Sequence, residues 1–463
     1  MKLRSGVKKI KKARAGSIQT IDDPSFRPAP VQRYLASTAK LAIENAANGI
    51  GALGDQALVS LTNFSTGLII ARACSRDQFG YYIIGFSILL LLENIQISII
   101  STPYTVYSQR LKGKLHAIYS GSTLIHQLVF CLLSILVLAL AGAFLTTGIG
   151  PAALGGVIWA LAAAVPAIML REYLRRYLFA NFRMTEALFL DLSIAFLQIS
   201  GLLILANLRL LSVVRAFLIV GLSCCISSVI WLIRVRREII LNRFQAIADF
   251  NKNFLFGKWV LADNIVAFLS RNLYPWLLML FHGAAATGLF GACWGVVGLA
   301  NPLLYGIGNF LGPRTALAQT ISIKELRDVV VKTSVSLASI IGLFCIGIVA
   351  VGDKLITLLY GSKYIGNGQI MIALSFSILA SAVSLAPGYG LAALERPDAN
   401  FKINLISLVL ALTLGLWMAK SYGPIGAAFG ILGANIVASI IRFAIFSQFS
   451  LRTAKNRTIE IAL

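Results

Sequence analysis

Leu53-Gly-Asp55-Gln56-Ala-Leu-Val-Ser60-Leu-Thr62-Asn63 and, starting 208 positions later (261 minus 53), Leu261-Ala-Asp263-Asn264-Ile-Val-Ala-Phe-Leu-Ser270-Arg271 are one pattern written twice. Each is an apolar stretch carrying polar residues at helical spacing. Further pairs keep nearly the same offset: Phe79-Gly80 with Phe290-Gly291, Pro103 with Pro313, Ala216-Phe217 with Ala428-Phe429, and Arg183 and Asp191-Leu192 with Arg396 and Asn404-Leu405. Taken in order, they indicate a duplicated half of about 210 residues. Six spans per half preserve orientation, so the halves are parallel repeats, an arrangement in which transporters hold substrate between the halves and rock around it.

The remainder of the sequence fits that body plan. Of 463 residues, 58% are hydrophobic and only 13% charged, with mean hydropathy +0.81, whereas a soluble domain is about 25% charged. Residues 50–448 read as twelve apolar blocks, each near the roughly 20 residues that a spanning helix needs. Unbroken apolar runs exclude an outer-membrane barrel, whose strands alternate in segments of about ten. The fold class is therefore an all-α polytopic membrane protein, with about twelve helices in two six-helix bundles around a central cavity. The expected organisation is a basic arm at 1–45, a first bundle at 46–237, a linker at 238–256, a second bundle at 257–448 and a tail at 449–463.

Lys and Arg total 41 against 18 Asp and Glu, a net charge of +23. In a soluble chain this would suggest nucleic acid; here the placement excludes it. With the N-terminus inside, 33 basic residues fall on inner segments and 7 on outer ones, leaving Arg271 within a span. The positive-inside rule then sets both termini in the cytoplasm of a multi-pass inner-membrane protein, and the basic arm is expected to contact anionic lipid. The six cysteines show no metal-ligand or disulfide spacing, no joint is long enough for a catalytic domain, and neither a metal nor a catalytic residue is expected.

Candidate site residues are the polar groups inside spans, because a charge there is costly and usually faces a cavity or a partner. Arg271 and Asn264 share nearly one face of span seven, with Asp263 beside them. A guanidinium there suits phosphate, whose oxygens its donor fork can pair two at a time; the alternative is an Arg–Asp clamp between helices. Gln56, Ser60, Asn63 and Gly67 form the matching stripe of span one, with Asp55 beside it. Glu93 at the centre of span two either titrates in an ion-coupled cycle or pairs with a cation of another helix. Asp191 is expected to sit on a helix N-terminal dipole. Arg171 and Arg175 share a face at the inner end of span four, where they would meet anionic lipid or a phosphate head group. His116, His126 and His282 are given no role.

The run Gly54-Asp55-Gln56-Ala57-Leu58-Val59-Ser60 through Asn63-Phe64, then Ala71-Arg72, Phe79-Gly80 and Thr102-Pro103, resembles the opening of the bacterial polysaccharide-biosynthesis, O-antigen (Wzx-like) flippase family. Arg171-Glu172 with Arg175-Arg176, Leu358-Leu359-Tyr360-Gly361-Ser-Lys-Tyr364, and Tyr422-Gly-Pro-Ile-Gly426 are similar to its later parts. The resemblance spans residues 50–445. It implies the multidrug/oligosaccharidyl-lipid/polysaccharide superfamily fold and outward movement of an undecaprenyl-diphosphate-linked repeat unit through a cationic cavity. Alternating access would be driven by a proton, sodium or chloride gradient or by the membrane potential, without a cofactor. Polymerase and glycosyltransferase partners are implied. This chain departs from the pattern in its long N-terminal arm and in having only Arg271 deep in a span. The rival readings are an ion-coupled drug or organic-cation antiporter of the same superfamily, and a membrane-embedded polysaccharide polymerase or ligase.

Overall fold

The computed structural model describes residues 51, 54–148 and 151–462, with helices and no strand among them; the expected basic arm at 1–45 lies outside the described residues. We number the helices α1 (54–73), α2 (Arg76–Ser108), α3 (Gly113–Thr146), α4 (Ala152–Ala180), α5 (Met184–Asn207), α6 (Val213–Val235), α7 (243–282), α8 (284–321), α9 (Ile323–Tyr360), α10 (Gly368–Ala393), α11 (397–422) and α12 (424–462). By length and composition nine stretches among the described residues can cross a membrane. Two of these, Arg243–Ile321 and Asp398–Arg452, each double back at a glycine, and with α1 this is consistent with twelve passes. The chain is a multi-pass helical membrane protein.

The doubling back is visible in close approaches. Gly283 has φ 79°, ψ −175° and Gly423 φ 62°, ψ −140°, a positive-φ extended region that is essentially confined to glycine and costs other residues about 1–3 kcal/mol. Beyond Gly283 the chain returns along itself, so that the Thr287 hydroxyl donates to the Pro275 carbonyl at 3.4 Å. Beyond Gly423, a Cβ built at Gly430 would lie 3.0 Å from the Gly415 Cα. Elsewhere the starts are written in the sequence as N-caps. Ser75 Oγ accepts from the Gln78 amide at 3.2 Å, Ser212 Oγ from Arg215 at 3.3 Å, and Ser322 Oγ from Glu325 at 3.0 Å. The last of these has the Ser-x-x-Glu spacing of a capping box.

The duplication is visible in backbone geometry. Phe182 and Glu395, 213 positions apart (395 minus 182), close α4 and α10 with φ 57° and 59°. In each case the next amide donates back to a carbonyl five residues earlier, Arg183 to Leu178 and Arg396 to Leu391, both at 2.9 Å. Arg209 ends α5 in the same Schellman-type way, with φ 54° and the Leu210 amide returning to Leu205 at 2.9 Å, but only Phe182 and Glu395 fall at the repeat offset. Just before Pro103, α2 contains a π-helical turn, Ile97–Ser101. Such turns absorb local disruption of the helix ladder.

α1–α6 form the first half and α7–α12 the second. The outward face of α3 exposes Leu128, Val129, Leu132, Leu133, Leu136, Val137 and Leu140, a surface that only lipid can cover. The halves meet along α2. The Trp276 indole N–H donates to Ser87 Oγ at 2.9 Å, and the Asn264 amide donates to Ser98 Oγ at 2.9 Å. α7 begins at Arg243, inside the stretch 238–256, and its first turns rest on α3 through a Tyr119 hydroxyl bond to Asn253 Oδ1 at 2.8 Å and a His126 Nε2 bond to the Ala246 carbonyl at 2.8 Å.

Candidate functional site

The first half gathers charge where α1, α4 and α5 meet. Arg171, Glu172, Arg175 and Arg176 recur every three to four residues on α4, so one helical face carries them all. Arg175 binds Asp55 Oδ2 through Nη2 at 2.5 Å and Nε at 2.9 Å, and its Nε lies 3.0 Å from Asp191. Arg171 holds Asp191 at 2.7 Å, and Arg176 holds Glu172 at 2.7 Å. Three guanidinium groups thus meet three carboxylates. Asp55 is 0% exposed and Arg175 6%, and charges so buried persist only when paired. The expectations for these residues change accordingly. Arg171 and Arg175 are spent on carboxylates rather than free for a phosphate head group. Asp55 and Asp191 are ion-paired rather than satisfied by water or a helix end. Gln56 only accepts a long bond from Arg175, at 3.4 Å.

Beside this cluster lies a cavity of about 80 Å³ lined by Asn63, Thr66, Glu93, Arg171, Asp191 and Gln198 among others. Glu93 faces it and makes no hydrogen bond or ion pair among the described residues. The cluster balances its charges without Glu93, so this carboxylate is a fourth acid beside three bases. Asn63 stands in the cavity wall. Gln198 instead donates to Thr66 Oγ1 at 2.7 Å, knitting α5 to α1.

The second half is arranged oppositely. Arg271 on α7 is exposed, and no carboxylate lies within ion-pair distance of it among the described residues. Near it stands a second arginine, Arg442 on α12. Arg442 Nη1 donates to Ser384 Oγ at 3.1 Å and Nη2 to Asn404 Oδ1 at 3.1 Å, while its Nε–H is buried without a partner among the described residues. The Asn404 carbonyl accepts from Ser270 Oγ at 3.4 Å, which ties this pocket to the residue before Arg271. Asn404 thus links Arg442 to the residue before Arg271. Asn264 is turned away, onto Ser98 of α2, and Asp263 is exposed with no ion pair among the described residues, so the polar stripe expected on α7 does not act as a unit.

No family model matches the sequence. It is 27% identical over 209 residues to the lipopolysaccharide biosynthesis protein WzxC of Escherichia coli, covering 43% of this chain and 40% of that protein. It is 22% identical over 192 residues to the probable low-salt glycan biosynthesis flippase Agl15 of Haloferax volcanii, covering 40% of each. Over 97 residues it is 31% identical to the capsular polysaccharide biosynthesis protein CapF of Staphylococcus aureus, covering 21% of this chain and 24% of that one. The matches thus span less than half the length of these relatives. Among solved structures, an inward-facing multidrug resistance MATE family transporter of the MOP superfamily is similar with TM-score 0.70 and 14% identity, covering 86% of this chain and 96% of that one. The lipid II flippase MurJ is similar with TM-score 0.66 and 13% identity, covering 90% of each.

The fold is the one that these MATE-family and MurJ structures share.

Within that fold, Arg442 is the residue that sequence reading missed. It falls six positions from the expected end of span twelve and reads there as one more inner-side cation. Its only sequence signal is that Asn404, the repeat partner of Asp191, has lost its charge. Where the first half has an acid to neutralise arginine, the second has a neutral amide. The three histidines remain without a functional assignment: His126 and His282 cap backbone carbonyls, His282 Nε2 lying 2.9 Å from that of Ala419. Among the described residues no group of His, Cys, Asp and Glu is arranged to hold a metal.

Proposed function

We propose that this protein is a flippase that carries undecaprenyl-diphosphate-linked oligosaccharide repeat units across the cytoplasmic membrane by alternating access, for surface polysaccharide export. The observation that carries the reading is that Arg271 and Arg442, linked through Ser270 and Asn404, have no carboxylate within ion-pair distance among the described residues. Two like charges held together in a membrane bundle are stabilised by an anion that bridges them, and a diphosphate offers oxygens for both guanidinium forks. Every described arginine of the first-half cluster is already neutralised by acids, so the cationic half is the one suited to the head group. The sequence likeness to polysaccharide-biosynthesis proteins and flippases supports the same cargo class. Transport of this kind makes and breaks no bond, so no enzymatic activity is proposed. The lopsided distribution of basic residues supports an inner-membrane location with both termini cytoplasmic.

Glu93, the surplus acid beside the first-half cluster, is proposed as the group that takes up a proton or cation during the cycle. That same carboxylate favours the second reading, an ion-coupled antiporter of organic cations. The deciding experiment reconstitutes the protein in proteoliposomes with a labelled undecaprenyl-diphosphate oligosaccharide and reads head-group exposure to an external glycosidase. Protein-dependent exposure that Arg271→Ala and Arg442→Ala each abolish, and Arg271→Lys partly keeps, is expected. No exposure, together with gradient-driven uptake of an organic cation, would transfer the assignment to the antiporter.

A further inference from the structure

Two sequence features remain without a role: Ala71-Arg72 followed by Phe79-Gly80, and Leu358-Leu359-Tyr360-Gly361-Ser-Lys363-Tyr364. They lie in different halves, and the fold brings them together at the end of the molecule expected to face away from the cytoplasm. Arg72, at the end of α1, donates from Nε to the Leu359 carbonyl at 2.5 Å and from Nη2 to the Leu358 carbonyl, both in the last turn of α9. Lys363, just past α9, returns the contact: its Nζ donates to the Arg72 carbonyl at 3.2 Å and to the Cys74 carbonyl at 2.5 Å. The last carbonyls of a helix have no partner within it and carry the negative end of its dipole. Each half therefore supplies the cation that caps the other half's helix.

Beneath this exchange lies an aromatic layer that also crosses between the halves. Tyr360 packs on Phe64 and Phe79 at ring-centroid distances of 6.5 and 6.2 Å, and Tyr364 packs edge-on against Phe79 at 6.5 Å. Phe79, Tyr360 and Tyr364 are all buried. Alongside, α2 and α8 approach until a Cβ built at Gly288 would lie 2.3 Å from the Arg76 carbonyl oxygen, so nothing separates the two backbones.

We propose that Arg72 and Lys363, over the layer of Phe64, Phe79, Tyr360 and Tyr364, form a gate that holds the two halves shut at the expected outer end. The bonds have the character a reversible closure needs. Arg72 is exposed and Lys363 half-buried, so when the halves part, water can reach both cations and neither is left as a fully buried charge. The first-half ion cluster is the contrast, being buried and internal to one half. At the other end of the α2 seam, the Asn264–Ser98 contact between the halves is a neutral hydrogen bond. The latch uses cations and backbone carbonyls rather than carboxylates, so titration of acids leaves it intact. The gate's part in transport rests on the alternating-access reading above, but its existence does not depend on the cargo.

The test measures the distance between spin labels at Gln78→Cys and Ile365→Cys, both exposed and on opposite sides of the gate, in full-length protein with the exposed Cys225 replaced by serine. Pulsed dipolar spectroscopy should give one short distance with the native latch. Arg72→Gln/Lys363→Met should add a longer distance, raising the ratio of open to closed by at least about tenfold, the effect of losing a single charge-assisted hydrogen bond. Arg72→Lys/Lys363→Arg, which keeps both charges, should stay close to the native distribution. A neutral double variant with the native distribution would overturn the gate, as would a charge-keeping variant that opens just as far. If the neutral double variant does not fold, Lys363→Met alone carries the same prediction at smaller amplitude. The measurement needs no substrate, so altered distances in a protein that flips nothing would sink the proposed function and leave the gate standing.

Discussion

Replacing Arg175 with methionine separates a structural clamp from a cargo site. Arg175 gives Asp55 two bonds, at 2.5 and 2.9 Å. Asp55 is fully buried, and its second carboxylate oxygen already lacks a hydrogen-bond partner among the described residues. In Arg175→Met the other acids keep their bases, Asp191 through Arg171 at 2.7 Å and Glu172 through Arg176 at 2.7 Å. The damage is therefore one stranded carboxylate, and breaking a buried pair in this way costs about 3–5 kcal/mol. Removing both charges, as Asp55→Leu/Arg175→Met, leaves nothing stranded and should recover most of that loss, since apolar replacements of whole buried pairs are often neutral. The assay is thermal unfolding in detergent followed by size-exclusion, with flipping measured on the same samples. The single variant should melt several degrees lower than the native protein and the double variant close to it, with flipping retained. A double variant as unstable as the single one would refute the clamp, and one that is stable but inactive would return Arg175 to the cargo path.

Glu93→Gln should leave stability nearly unchanged, because the adjoining cluster is balanced without it, while shifting the pH or ion dependence of transport; an unchanged dependence removes Glu93 from coupling. Gly283→Ala should lower stability by about 1–3 kcal/mol, because its positive φ with ψ near 180° is essentially confined to glycine, and a neutral result in thermal unfolding would show that the turn relaxes. Asn404→Asp places an acid beside Arg442, where the first half has Asp191, and should cut flipping while leaving expression and folding intact; full activity would argue against an anion seat at that arginine.

The twelve apolar blocks, the duplicated half and the direction of charge bias were legible because each is a property of composition or spacing. Hydrocarbon demands a minimum apolar length, and a duplicated sequence keeps its offset through every helix. The repeat pairs Arg183 with Arg396, and the structure shows that the residues just before them, Phe182 and Glu395, share a backbone turn. Individual site residues were legible only as types. Asp55, Arg171, Arg175 and Asp191 all read as polar groups near one membrane face; no spacing rule says that they neutralise each other, because the three helices involved meet through tertiary packing.

The sequence by itself determined that this chain must live in a bilayer as two like-oriented bundles, since the free energy of burying its apolar blocks leaves no alternative. It also determined which few charges would be expensive there. Only the tertiary structure decided how each expense is met: by carboxylates in the first half, by a neutral amide and hydroxyl around Arg442 in the second, and across the gate by the carbonyls of the opposite half. Those outcomes depend on distances of a few ångströms between helices remote in sequence, where Coulomb energy and desolvation change steeply and hydropathy carries no information.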